Sequence, residues 1–167
     1  ASAPAGAPAS SGQAPAVPAA PSAKLPRPLV GDDAEREIVV ETRTVLAVFT
    51  NRGARLKSWR LKSYLDQKKQ PQELVATYLP DERPRPFDLK LGDEGATARL
   101  KAALFRVSSG ASEHRVDATR QAVTIAFEYQ ESGLSARKEF TFRPAGYTVD
   151  VDIQVVVGDR PVNPTVL

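Results

Sequence analysis

The 167-residue chain contains no cysteine and no methionine, and only one tryptophan and one histidine. The lack of cysteine excludes a disulfide scaffold, thiolate metal sites and thiol catalysis, although it does not fix the compartment. Methionine is missing even at position 1. The sequence is therefore expected to be a processed or excised piece, and the apolar finish Pro164-Thr165-Val166-Leu167 carries the same expectation for the other end. No stretch approaches the roughly 18–20 apolar residues that span a bilayer. The first residues lack the charged start and apolar block of a signal peptide. Any membrane anchor is thus expected outside this sequence. Charge of one sign is also missing: 23 basic residues face 20 acidic ones, for a net +3. That balance is only mildly basic, whereas nucleic-acid binding usually shows a clustered basic footprint with aromatic platforms. One local basic cluster exists, within residues 52–69, and no nucleic-acid partner is expected.

What is present divides sharply in two. Residues 1–28 hold ten alanines and seven of the fourteen prolines, with Lys24 and Arg27 as the only charges. Proline lacks a backbone donor, and alternating Pro and Ala build no apolar face, so this segment can nucleate no core. It reads as an extended, semi-stiff tether. We set the boundaries at 1–34 for a flexible linker and 35–167 for a folded domain.

The domain reads as strands. Ile38–Thr42 and Val45–Thr50 are short, β-branched and apolar. Asn51-Arg52-Gly53 signals a turn, with Gly53 as the left-handed residue, and 54–61 returns as a strand. Residues 63–70 read as a loop or short helix. Residues 73–78, 87–91 and 103–107 read as strands, the first two separated by the proline-broken segment 80–86. The last third has the cleanest pattern. Val123, Ile125, Phe127 and Tyr129 recur at every second position, as do Leu134, Ala136, Phe140 and Phe142. Tyr147, Val149, Val151, Ile153, Val155 and Val157 make a third stripe. A period of two is the mark of half-buried strands. The links 131–133 and 144–146 are short enough for hairpins. The fold class is therefore all-β, an antiparallel β-sandwich.

Residues 38–66, IVVETRTVLAVFTNRGARLKSWRLKSYLD, resemble the opening strands of the periplasmic domain of the YidC insertase family. The matching features are Phe49-Thr50-Asn51, the turn Arg52-Gly53-Ala54 and the closing Leu61-Lys62-Ser63-Tyr64. Where the family has a second glycine this chain has Ala54, which implies that only Gly53 must be left-handed. Residues 135–157 are similar to the family's Lys-x-Phe-x-Phe and Gly-x-Tyr-x-Val strand pair, through Lys138, Phe140, Phe142, Gly146, Tyr147 and Val149. The resemblance covers roughly 37–167 and is weakest between Gln67 and Thr119. It implies a β-supersandwich, here incomplete, between two membrane helices of an inner-membrane protein, facing the periplasm. It also implies nascent inner-membrane proteins as partners, the adjacent membrane surface as a neighbour, and the Sec translocon as a candidate neighbour.

Candidate chemistry is thin. Ser112, Glu113, His114 and Asp117 supply the residue types of a hydrolytic triad, but sequence proximity is not triad geometry, and the stretch reads as a polar loop. Asp150, Asp152 and Glu139 give carboxylates on strand faces, too few for calcium; on an exposed strand they solubilise and protect an edge. Arg52, Arg55, Lys57, Arg60 and Lys62, followed by Lys68 and Lys69, form a basic run with Asp66 as its sole acid. It is either a solvated strand face or a contact for anionic lipid or an acidic partner. Trp59 is expected to point inward with Leu61. The expected function is that of a non-enzymatic accessory domain of an insertase, with no catalytic residue, cofactor, metal or small-molecule substrate. The alternatives are a periplasmic carbohydrate-binding or epimerase-like module and a plain structural domain. The epimerase chemistry is disfavoured because one loop histidine cannot supply the acid–base pair.

Overall fold

The computed structural model describes residues 30–109 and 114–167. The elements run β1 (Glu37–Glu41), β2 (Val45–Thr50), β3 (Arg55–Leu65), β4 (Pro71–Glu73), β5 (Leu89–Lys90), α1 (Glu94–Ala102), β6 (Arg106–Ser109), β7 (Arg115–Asp117), β8 (Val123–Glu131), β9 (Leu134–Phe142), β10 (Val149–Val157), β11 (Arg160–Val162) and β12 (Thr165–Val166). Two five-stranded sheets form, in the orders β4-β3-β2-β1-β7 and β11-β10-β9-β8-β6, and β12 pairs with β5. No helix among the described residues is long and apolar enough to cross a membrane.

The sheets face each other because the period-two stripes of β8 and β9 meet those of β2 and β3. Phe49 of β2 lies against Phe127, Phe140 and Phe142 at ring distances of 5.9, 4.8 and 6.0 Å. Trp59 of β3 stacks on Phe142 at 6.1 Å. It points inward as expected, since the register pairs it with buried Ala47 and pairs Leu61 with buried Val45. The sandwich is β-rich and largely antiparallel, with one parallel pairing between β1 and β7. Glu131 and Leu134 close the β8–β9 hairpin. Ser132 and Gly133 both take positive φ, 47° and 75°, the two-residue turn whose twist matches the strands.

Several local expectations are corrected. The stretch 63–70 is neither loop nor helix throughout: β3 continues to Leu65 before the chain turns back into β4. The expected strand 73–78 ends at Glu73, because that side chain takes over the ladder. Its carboxylate accepts the amides of Trp59 at 2.7 Å and Val75 at 3.0 Å. The strand at 87–91 shrinks to Leu89–Lys90, since Phe87 has φ 71°, and the strand at 103–107 moves to Arg106–Ser109. The helix α1 was not anticipated. Asp93 caps it, accepting the amide of Ala96 at 2.6 Å, and Arg99 and Lys101 occupy its last turn, where cations complement the carbonyl end. The 144–146 link is a longer loop, because β9 and β10 begin pairing only at Phe142 and Val149. The third stripe is also less buried than its pattern implies: Val155 is buried, whereas Tyr147, Val151 and Val157 are exposed.

Candidate functional site

The turn after β2 organises the polar interior. Gly53 has φ 67°, and a Cβ there would meet the carbonyl oxygen of Lys101 at 2.9 Å, so glycine is required on two counts. Ala54 follows at φ 48°. Both turn residues are left-handed, which corrects the expectation that Gly53 alone would be. Asn51, fully buried, holds the approach to the turn. Its side-chain oxygen accepts the amide of Arg36 at 2.8 Å, and its nitrogen donates to the carbonyl of Ala34 at 2.9 Å. Its backbone carbonyl accepts from Phe105 at 2.9 Å. The side-chain amide thereby binds the lead-in to β1 to the turn. Asn51→Ala is expected to cost about 1–2 kcal/mol, because it removes the two hydrogen bonds that this buried amide makes to the Arg36 amide and the Ala34 carbonyl; urea unfolding of the two proteins measures it.

Under this turn lies a cluster that the sequence reading passed over. Lys138 belongs to the inward face of β9, in the stripe between Ala136 and Phe140, and is only 1% exposed. Its ammonium donates to the carbonyls of Gly53 at 2.7 Å, Ala54 at 3.2 Å and Phe87 at 2.7 Å. It sits 5.6 Å from the centre of the Phe105 ring. One side chain of the second sheet therefore ties down the turn of the first sheet and the segment leading into β5. Burial pulls its pKa down to about 7, with Asp88 acting to raise it and Arg55 to lower it. An amine so tuned is a candidate nucleophile in an open cleft. Here three carbonyls and a ring enclose it, so its role is to hold the fold.

Arg55 belongs to the same cluster, a correction to its place in the surface run. It is 1% exposed, donates through Nη1 to the carbonyl of Asp81 at 3.0 Å and through Nε to that of Arg52 at 3.2 Å. Its Nε lies 3.7 Å from the Asp88 carboxylate. The irregularity in the β2–β3 register leaves Lys57 without a partner between Leu56 and Ser58. Arg55 and Lys57, two residues apart, consequently have different environments.

Arg52, Lys57, Arg60 and Lys62 each lie beside an acid, while Lys68 and Lys69 are exposed in the turn between β3 and β4. Arg52 meets Glu35 at 2.8 Å, Lys57 meets Glu37, Arg60 meets Glu73 at 3.3 Å, and Lys62 meets Glu41 at 2.7 Å. These acids come from the lead-in to β1, from β1 itself and from β4, so they were invisible to a count along residues 52–69. Hydrogen bonding by Lys62, then by Arg115, holds the Glu41 carboxyl below its ordinary range. Burial pushes Glu73 up, but the Ser58 hydroxyl, the amides of Trp59 and Val75, and Arg60 together bring it below the usual value.

The remaining candidates do not assemble. His114 is exposed, and its carbonyl accepts from the amide of Val39. Asp117 accepts the amide of Thr119 at 2.8 Å, and Thr119 holds its carboxyl low. Ser112 and Glu113 lie outside the described residues. Asp152 does stand opposite Glu139 on the neighbouring strand, but Arg137 holds Glu139 and Arg143 holds Asp150. Among the described residues no group of three His, Cys, Asp or Glu could hold a metal. A shallow groove of about 290 Å³ runs over β8, β9 and β10, with Tyr129 its one aromatic lining residue. Tyr129 is buried and its hydroxyl donates to Glu131 at 2.5 Å, so it offers no sugar-stacking platform.

Comparison with known proteins agrees with the architecture. The family described as the YidC periplasmic domain matches residues 37–167. The chain is 30% identical over 132 residues to the membrane protein insertase YidC of Syntrophus aciditrophicus (strain SB), covering 76% of this chain and 23% of that protein. It is 32% identical over 125 residues to the membrane protein insertase YidC of Treponema pallidum (strain Nichols), covering 72% and 20%. The chain thus spans less than a quarter of the length of these curated relatives. The match over residues 37–167, the span of β1 to β12, is enough to place it: the chain belongs to the YidC family and carries that family's periplasmic domain.

Proposed function

We propose that this chain is the periplasm-facing, non-enzymatic part of an inner-membrane insertase, and that it assists the insertion and folding of inner-membrane proteins by docking rather than by chemistry. The observation that carries this reading is the family match over 37–167. In support of a docking role, Lys138 is enclosed, and the candidate carboxylates Asp117, Glu139 and Asp150 are each held by a neighbour. On this reading the Ala/Pro-rich residues 1–34 are the tether, 35–167 the domain, and nascent inner-membrane proteins its clients, with the Sec translocon a neighbour.

Beside the exposed Lys68 and Lys69, the cations available to an anionic membrane surface or acidic partner include the paired Arg52, Lys57, Arg60 and Lys62. Each of these four would exchange an internal carboxylate for an external one, so any such contact is weak and screened by salt. The test is an in-frame deletion of residues 35–167 in the gene that encodes this chain, with insertion of a membrane-protein reporter followed by protease accessibility. Reduced insertion or misfolding of the reporter is expected. Unchanged reporter topology and folding would overturn the proposal. Binding to a glycan array by the undeleted chain would favour the carbohydrate-binding alternative.

A further inference from the structure

Residues 74–88 join β4 to β5 with no strand or helix of their own. Prolines at 80, 84 and 86 remove three backbone donors from the second half of this link. What holds the stretch 79–88 is a set of cations that reach its carbonyls from three other elements. Arg55 of β3 donates to the carbonyl of Asp81 at 3.0 Å, Lys101 of α1 to that of Glu82, and Lys138 of β9 to that of Phe87 at 2.7 Å. Within the stretch, the Arg85 side chain donates to the carbonyl of Leu79 at 2.7 Å, and its amide to the Asp88 carboxylate at 2.9 Å. Backbone bonds to the rest of the domain are few among the described residues. The Leu56 amide meets the Pro86 carbonyl at 3.1 Å, and Phe87 and Asp88 bond with Leu167. Closure also has a backbone cost, because Phe87 is held at φ 71°, a left-handed conformation that a bulky side chain disfavours.

The charges under this strap do not balance. Among the described residues the buried charged side chains are Arg55, Arg85, Lys138 and Asp88, three cations and one carboxylate. Asp81 lies 3.5 Å from Arg85 but is largely in solvent. The amine of Lys138 faces the carbonyls of Gly53, Ala54 and Phe87, the Phe105 ring, Arg55 from β3 and Asp88 from the strap. Lys138 and Arg55 are almost wholly enclosed, which leaves no room beside them for a further carboxylate. A guanidinium keeps its charge, so the amine is the one cation here that can lose it. While it is charged, the cluster buries an excess of positive charge, which only water can relieve. The strap is the wall with the fewest backbone bonds through which water can enter.

We propose that residues 79–88 form a pH-sensitive strap, which opens as a unit while the Lys138 ammonium is charged and closes more firmly as the amine is discharged. Opening withdraws Phe87 from Phe49 at 6.3 Å and Phe140 at 4.9 Å, so it uncovers rings of both sheets while their ladders stay paired. It also returns the amine to water and to its ordinary value of 10.5, whereas the closed state lowers it to about 7. Closing therefore releases a proton. The strap is held least firmly below about pH 7 and more firmly as pH rises from there toward 10.5. The device follows from the buried cluster, and stands whether or not the domain assists insertion.

The experiment is hydrogen exchange of the chain, followed amide by amide from pH 6 to 9.5, with protection expressed against the intrinsic rate at each pH. The amides of Arg85 and Asp88 are expected to be less protected than those of the β8–β9 ladder. Their protection should be flat up to about pH 7 and then rise about tenfold per pH unit, one proton being released on closing. Lys138→Met removes the rise. Asp88→Asn keeps an acceptor for the Arg85 amide but deletes the carboxylate that raises the amine's pKa. It therefore moves the onset to lower pH, and tests the proposal even if the methionine variant fails to fold. Strap protection that is constant with pH would overturn the proposal, as would a rise that survives Lys138→Met or an onset that Asp88→Asn leaves in place. So would strap amides as protected as the ladder, since the strap would then leave only when the whole domain unfolds.

Discussion

Phe49→Ala is expected to remove about 3–5 kcal/mol of stability, the range for deleting a buried aromatic ring. Phe49 is fully buried. Its ring touches four others: Phe140 at 4.8 Å, Phe127 at 5.9 Å, Phe142 at 6.0 Å and Phe87 at 6.3 Å. Three of those belong to the opposite sheet and one to the segment before β5, so the vacancy opens where the layers meet and no neighbour can swing in without leaving its own contacts. Since small domains hold only about 5–15 kcal/mol in total, such a loss is a large fraction of the whole. Phe49→Leu retains most of the volume and should cost roughly 1–2 kcal/mol. Urea midpoints, with m-values checked for constancy, measure both. A loss below about 1 kcal/mol for the alanine variant would mean that the sheets do not close over Phe49.

Lys138→Met should also be strongly destabilising, and its effect should depend on pH in a direction that identifies the cause. Methionine keeps the apolar stem of the side chain but leaves the carbonyls of Gly53, Ala54 and Phe87 without their shared donor. Each buried acceptor so orphaned costs about 1–3 kcal/mol. Against this stands the cost of burying the amine's charge. The folded-state value of about 7 lies below the ordinary 10.5, so between the two the unfolded chain holds a proton that the folded chain has released. Stability attributable to Lys138 therefore rises with pH across that window and carries its full penalty below about 7. The gap between wild type and Lys138→Met is expected to widen by about 3 kcal/mol from pH 7 to about pH 9.5. Denaturant unfolding of both proteins across that range tests it. A gap constant with pH would show that the three carbonyls keep the amine charged throughout.

Both predictions concern the same joint between the sheets, and its parts differ in how readily the sequence discloses them. Phe49 sits in an obvious apolar strand. Lys138 interrupts an otherwise apolar stripe at the one position where a charge should not fall, which was the available signal. Its partners were not visible, because Gly53, Ala54 and Phe87 offer only backbone carbonyls, and every residue has one. The helix α1 was missed for a related reason: only Ala96 and Leu100 of its nine residues are buried, too few to show a helical period.

The chain by itself determined the strands whose one face is apolar and the other polar, since a side-chain period of two needs no knowledge of what lies opposite. It determined the left-handed turn at Gly53, and it carried the family resemblance in the two segments where those local rules are strongest. Tertiary structure alone decided which charges are buried, paired or exposed. Arg55 is enclosed by residues from Asp81 to Asp88, and Lys62 meets Glu41 from a strand two places away in the sheet. It also decided that Val151, in an apolar stripe, is exposed. Local pattern reports what a residue's neighbours along the chain allow, whereas burial and pairing depend on segments brought together only when the two sheets close.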